Sequence, residues 1–327
     1  MMTPLRFEEL YQAEWAELDR FLDKQAGRTT IAVDQAPVSA ARAAALYRRA
    51  CEHLALARAR SYPAYIVTRL ERLTAEAHQR IYQQREFGVA RLRQMAAVDF
   101  PRTVRAHKWY VAVAAALFLL PTLVLGLLVY FRPEIILSVV SADTAAEFAE
   151  MYSPTASSIG RTREAATDWM MFGYYIRNNI SVAFQCFAGG LFAGLGTIFF
   201  LAYNGAFGGA LAGYLTERGL SSTFYSFIAT HSAFELTAIV IAGTAGLRLG
   251  HAVVAPGHKR RRIALVDASR DTTVLLYGVT VMLVLAAAVE AFWSSASWLN
   301  PLVKYSVAAV CWTGVLGYFL IQGRRAG

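Results

Sequence analysis

From Trp109 to Phe131 the chain carries no charged residue. Roughly 20 consecutive apolar residues are enough to cross the hydrocarbon core of a bilayer as one helix. Lipid offers no water to the backbone, so a spanning segment must satisfy its own N–H and C=O groups, and a helix does this within one segment. Trp109-Tyr110 at one end and Tyr130-Phe131 at the other suit the two interfaces of a membrane. Pro121 is expected to kink this span.

The rest of the chain agrees with a lipid solvent. Hydrophobic residues make up 56% of it and charged residues only 17%. A soluble domain is nearer 45–50% and about 25%. That excludes a disordered chain and argues against a soluble enzyme. The net charge of +9 fits Lys and Arg that orient spans. No zinc finger, RNP signature or basic zipper is present, so no nucleic-acid partner is expected. Cys51, Cys186 and Cys311 lie far apart and suggest neither a disulfide framework nor a zinc site.

Residues 1–108 hold 18 basic and 12 acidic residues. No apolar run near the start resembles a signal peptide, so the amino end is expected in the cytosol. Thr3-Pro4 reads as a helix cap and first helical position. A Gly/Thr/Pro-containing stretch from Gly27 to Pro37 breaks the helical pattern, and Pro63 opens a third helix with Ile66, Leu70, Leu73, Ala77 and Ile81 on one face. We read 1–90 as a basic cytosolic helical region. Arg48, Arg49, Arg58, Arg60, Arg69, Arg72 and Arg80 form either a solvated face or a surface for anionic lipid or an acidic partner. Residues 91–108 read as an amphipathic interfacial helix, bent near Pro101.

The fold class read here is all-α, a polytopic membrane bundle over 109–327. Its segments are 109–131, 180–202, 203–216, 227–249, 273–293 and 301–321, with a loop at 132–177. Within 178–216 there is no Asp, Glu, Lys or Arg. Asn204-Gly205 is read as its turn. Gly190 with Gly194, and Gly209 with Gly213, are GxxxG pairs that let helices approach closely. We expect them to pack within one subunit, although a homo-oligomer is open. Parity decides the topology. With two crossings in 178–216, the Lys259–Arg262 cluster and Arg324-Arg325 fall on the cytosolic side, as the positive-inside bias requires. Both termini are then cytosolic and the loop 132–177, with a net charge of −2 from four basic and six acidic residues, is outside.

Ionisable groups in lipid are costly and therefore candidates for function. His231 and Glu235 are four apart and share a helix face. On this topology Glu290, Asn178, Asn179 and Lys304 approach the same outer half. The cluster reads in three ways: as packing hydrogen bonds, as a ligand or ion pathway, or as a metal site. No HExxH, P-loop, dinucleotide fingerprint or GxSxG motif occurs, so no catalytic residue, cofactor or enzyme activity is expected.

The run from Asn178-Asn179 through the glycine-rich stretch to Asn204-Gly205, followed by His231-Ser-Ala-Phe-Glu235-Leu-Thr-Ala, resembles the stage II sporulation protein M family of bacterial integral membrane proteins. Glu290 before Ala291-Phe292 also resembles a family position. The family pattern has Gly after the His and Pro two residues after the Glu, where this chain has Ser232 and Thr237. The similarity extends from near Asp99 to the last span, and 1–90 looks like the cytosolic extension of the non-sporulating branch. The resemblance implies an inner-membrane scaffold for peptidoglycan-remodelling envelope proteins, with the lipid bilayer and envelope or cytosolic proteins as partners. A transporter or channel component is the opposing expectation.

Overall fold

The computed structural model describes residues 2–25, 40–83, 89–155, 159 and 167–324. The break read at Gly27–Pro37 lies outside these residues, as do Arg161, Arg163, Glu164 and Arg325. The described residues contain helices and no strand. Two compact units divide the chain, Met1–Leu92 and Arg93–Gly327.

The first unit is built from α1 (Pro4–Gln25), α2 (Ala40–Ala59) and α3 (Ala64–Gln83). The Thr3 hydroxyl accepts a hydrogen bond from the Arg6 amide at 3.4 Å, so the cap read from Thr3-Pro4 is present. Apolar residues three and four apart give each helix one inward stripe. Phe7, Trp15, Leu18 and Leu22 of α1 meet Leu46, Ala50 and Ala57 of α2 and Ile66, Leu70, Leu73 and Ala77 of α3. His53 is the polar residue in this core. Its Nδ1 accepts from the Trp15 indole N–H at 3.1 Å, and burial pushes its imidazole below the ordinary 6.5. The arginine faces turn out to be largely paired within the unit. Arg49 meets Glu14, Arg58 meets Glu71, Arg69 meets Glu8 and Arg72 meets Asp19. Such exposed pairs each contribute about 0–1 kcal/mol. They also leave less unbalanced charge for a lipid or acidic partner than the sequence suggests.

After α4 (Val89–Gln94) the chain makes a π turn, Met95–Asp99, and continues as α5 (Phe100–Ala106). One bent interfacial helix over 91–108 was expected. The path is continuously helical from Val89 to Ala106, widened by the π turn immediately before Pro101, which lies in the first turn of α5. These residues do more than lie at an interface. Phe100 packs edge-on to Phe319 at 5.4 Å, and Arg105 donates to the Phe319 carbonyl at 2.7 Å.

The membrane unit proper comprises α6 (Lys108–Phe131), α7 (Ala142–Met151), α8 (Thr167–Ala188), α9 (Leu195–Glu217), α10 (Ser221–Val254), α11 (Arg261–Val289) and α12 (Pro301–Ile321). Among the described residues, five helices are long and apolar enough to cross a membrane, namely α6, α9, α10, α11 and α12. The sixth segment, α8, is more polar and packs against α9, α10 and α11. The outward face of α6 is apolar and bare, with Leu120, Leu123, Leu127 and Phe131 all exposed. An exposed apolar belt of this extent belongs against lipid. The most buried span is α10. Its 34 residues extend about 51 Å at 1.5 Å per residue, well beyond a hydrocarbon core of about 30 Å.

Contacts fix the helix directions. Gly205, Gly209 and Gly213 of α9 face Phe118, Thr122 and Gly126 of α6 in rising order, so these two helices are parallel. Gly190, after α8, abuts Gly246 near the far end of α10. Chain direction therefore alternates through α6, α8, α9, α10, α11 and α12. Lys108, Lys259, Arg262 and Arg324 gather at one end, which we term the basic end. The segment 132–155 lies at the other, the loop end.

Three sequence expectations need correction. The turn is not at Asn204-Gly205, and the segments are not 180–202 and 203–216. Helix α8 ends at Ala188, a 3-10 turn covers Gly189–Leu191, and α9 runs unbroken through Asn204. The Asn204 amide donates to the Phe200 carbonyl one turn back, at 2.7 Å, so it is satisfied inside the helix. The real turn uses Gly194 at φ +84°, a conformation open to glycine. Secondly, the two members of a GxxxG pair need not share a role, and the helices these glycines admit come from outside the 178–216 segment. Gly209 and Gly213 receive α6, Gly190 receives α10, and Gly194 caps α9. Thirdly, the outer loop is shorter than 132–177: a 3-10 turn spans Pro133–Ser138, α7 starts at Ala142, ahead of the short helix read at Glu147–Tyr152, and α8 begins at Thr167.

Candidate functional site

The polar cluster forms at the loop end, where the start of α10 meets the end of α11. His231 is buried at 5% exposure, one helical turn before Glu235. Their facing atoms, His231 Nε2 and Glu235 Oε2, are 3.9 Å apart. Glu290 opens a π turn, Glu290–Ser294, that follows α11 directly. Such widened turns are frequent at functional sites. One ligand atom each from His231, Glu235 and Glu290 fall within 4.8 Å of one another.

The π turn also delivers Ser294, whose hydroxyl lies 3.0 Å from His231 Nδ1. That contact fixes the imidazole plane. Ser294 is fully buried and is not among the residues lining the adjoining cavity. The pair therefore orients a ring and presents no nucleophile to a substrate. Lys304 at the start of α12 is fully buried too, and its Nζ donates to the Ser294 carbonyl at 2.7 Å. The last carbonyls of a helix lack backbone partners and carry partial negative charge, so a lysine there is well placed. Thr230 ties the same corner by donating to the Lys304 carbonyl at 3.3 Å. Lys304 is thus drawn to the cluster through Ser294.

A cavity of about 740 Å³ lies against the cluster, between α6, α8, α9 and α10. Phe118, Leu123, Leu127, Leu211, Phe224 and Phe227 supply apolar wall. Its polar part comprises His231, Ser232, Glu235, Glu290, Asn178 and Asn179, with Tyr174 and Tyr175 beside them. Asn178 donates to the Asn179 side-chain oxygen at 3.2 Å. Asn179 is only 2% exposed, and its Nδ2 has no partner among the described residues. This is the size and lining of a small-molecule site: mostly apolar, with a few convergent polar groups.

His231, Glu235, Glu290, Asn178 and Asn179 therefore come together. The glycines Gly190, Gly194, Gly205, Gly209 and Gly213 serve packing and the turn, and of these Gly209 and Gly213 also line the cavity. Sequence reasoning missed Ser294, although its spacing of four from Glu290 placed it one turn on. It missed the tyrosines as well, because their convergence depends on which helices become neighbours. The Trp293 indole nitrogen is buried without a partner among the described residues, whereas Trp298 is exposed.

Fold and site together define a helical polytopic membrane protein with a polar-ended cavity between its helices. Residues 110–295 match the family model for stage II sporulation protein M, and the chain belongs to that family. Residues 5–83 match a domain of unknown function, DUF8413. That match coincides with the three-helix unit. No curated protein and no solved structure matches the chain.

Proposed function

We propose that this protein is a non-enzymatic protein of the bacterial cytoplasmic membrane that binds an amphipathic molecule, as a transporter or transport component does. The cavity carries the reading: apolar walls suit a tail, and the His231, Glu235, Glu290 and Asn179 groups suit a polar head. The basic end faces the cytosol on the positive-inside bias, which puts the polar cluster in the outer half and both termini inside. Native mass spectrometry of protein purified in mild detergent tests the binding step. Wild type is expected to retain a small amphipathic adduct, and Ala212→Trp, which fills the cavity from α9, is expected to lose it. A wild type without adduct, or an unchanged adduct in Ala212→Trp, contradicts the proposal.

A second reading, an envelope scaffold with protein partners, is favoured by the separate Met1–Leu92 unit with its own core. A scaffold working through that unit is indifferent to Ala212→Trp, which separates the two readings.

A further inference from the structure

We propose that His231, Glu235 and Glu290 form a binding site for a first-row divalent cation such as Zn²⁺. The site shares the cavity of the proposed function but does not depend on what else the cavity holds.

The donor set is the first argument. Imidazole nitrogen and carboxylate oxygen are both zinc ligands, and a set of three protein ligands leaves a fourth position open. Magnesium favours all-oxygen shells and keeps several waters, so the imidazole argues against it.

Geometry is the second. Zinc bound at about 2.0–2.2 Å by nitrogen and oxygen holds its ligand atoms about 3.4 Å apart in a tetrahedron. Here the three ligand atoms lie within 4.8 Å of one another, and the His231–Glu235 pair is at 3.9 Å. Small side-chain rotations close the remainder. The donors come from two elements, α10 and the π turn, so the ion would also tie these together.

The third argument is how the ring is held. A metal-binding histidine is normally fixed by a hydrogen bond on its other nitrogen. Ser294 Oγ lies 3.0 Å from His231 Nδ1. With the proton on Nδ1, Nε2 turns its lone pair toward Glu235.

A fourth, independent observation is an unpartnered polar group in the same cavity. The Asn179 Nδ2 group lines the same cavity, buried and without a partner among the described residues.

The test is metal stoichiometry on full-length protein, purified in mild detergent with a non-histidine tag, stripped with chelator and dialysed against ZnCl₂. Wild type and His258→Ala, a loop variant, should hold one zinc per chain. Glu235→Gln and Glu290→Gln, each verified as monodisperse and helical, should lose it. Cobalt gives a reading on the unmodified protein. Co²⁺ should produce visible absorption bands that added Zn²⁺ abolishes. A wild type that holds no zinc and shows no cobalt bands, or variants that hold as much zinc as wild type, would overturn the proposal. If either result came with an amphipathic adduct still retained by wild type, the cavity reading would stand while the metal site fell.

Discussion

Gly209→Ala should destabilise the membrane unit by about 3 kcal/mol or more, at or beyond the upper end for overpacked sites. A Cβ at Gly209 would sit 2.1 Å from the Thr122 carbonyl oxygen, and one at Gly205 would sit 2.1 Å from that of Phe118. The obstacle is backbone, so no rotamer change relieves it. Helices α6 and α9 would have to separate along the whole row Gly205, Gly209, Gly213. That row adjoins the cavity, so ligand retention should fall with stability. Gly317→Ala in α12 is the matched control, because a Cβ there meets nothing within 4 Å. Alanine outranks glycine in a helix by about 0.8–1.0 kcal/mol, so this change should be neutral or slightly stabilising. Thermal unfolding in detergent reads both variants. Equal midpoints for the two would contradict the α6–α9 packing.

Trp15→Ala should cost the Met1–Leu92 unit about 3–5 kcal/mol, the usual range for emptying a buried aromatic site. Trp15 is 1% exposed, and the variant also leaves the buried His53 without its N–H donor. A domain this small has about 5 kcal/mol to lose, so the variant should be largely unfolded. Urea titration of the 1–92 fragment by circular dichroism measures the loss. The same titration has a pH signature. Burial lowers the His53 pKa, so near pH 6 the unfolded chain binds more protons than the folded one. Stability from this group is full above about 6.5 and declines as pH falls below it. Wild type should therefore weaken toward pH 5.5, and His53→Phe should weaken less. A Trp15→Ala midpoint matching that of wild type would show that this core is not where the unit's stability resides.

The sequence made the bundle legible because charge is so unevenly placed. The charge-free run at Trp109–Phe131 and the polar break at 294–300 locate α6, the end of α11 and the start of α12, whereas α11 begins at Arg261, inside the polar stretch 250–272 that was read as a break. Parity with the basic clusters then put His231, Glu235, Glu290 and the two asparagines at one end, using nothing but helix direction. The α8–α9 turn was misread for a physical reason. Asn-Gly marks a turn when both residues need unusual backbone angles. Here Asn204 bonds back to Phe200, and Gly205 is small so that Phe118 can approach. The π turn at Glu290 has no residue signature, so Ser294 and its hold on His231 were invisible. Which helix a glycine faces was equally hidden: spacing identifies a flat stripe but not its partner.

The account rests most heavily on a polar cluster that lies at the loop end of the membrane unit, away from its basic end. Impermeant maleimide labelling of intact cells tests this directly. The reporters are single-cysteine variants Asn178→Cys, in the cavity lining, and Arg260→Cys, at the basic end. Both are made with Cys51, Cys186 and Cys311 replaced. Labelling is expected at position 178 from outside, and at position 260 only after the membrane is permeabilised. Labelling of position 260 in intact cells, with position 178 protected, would contradict the account.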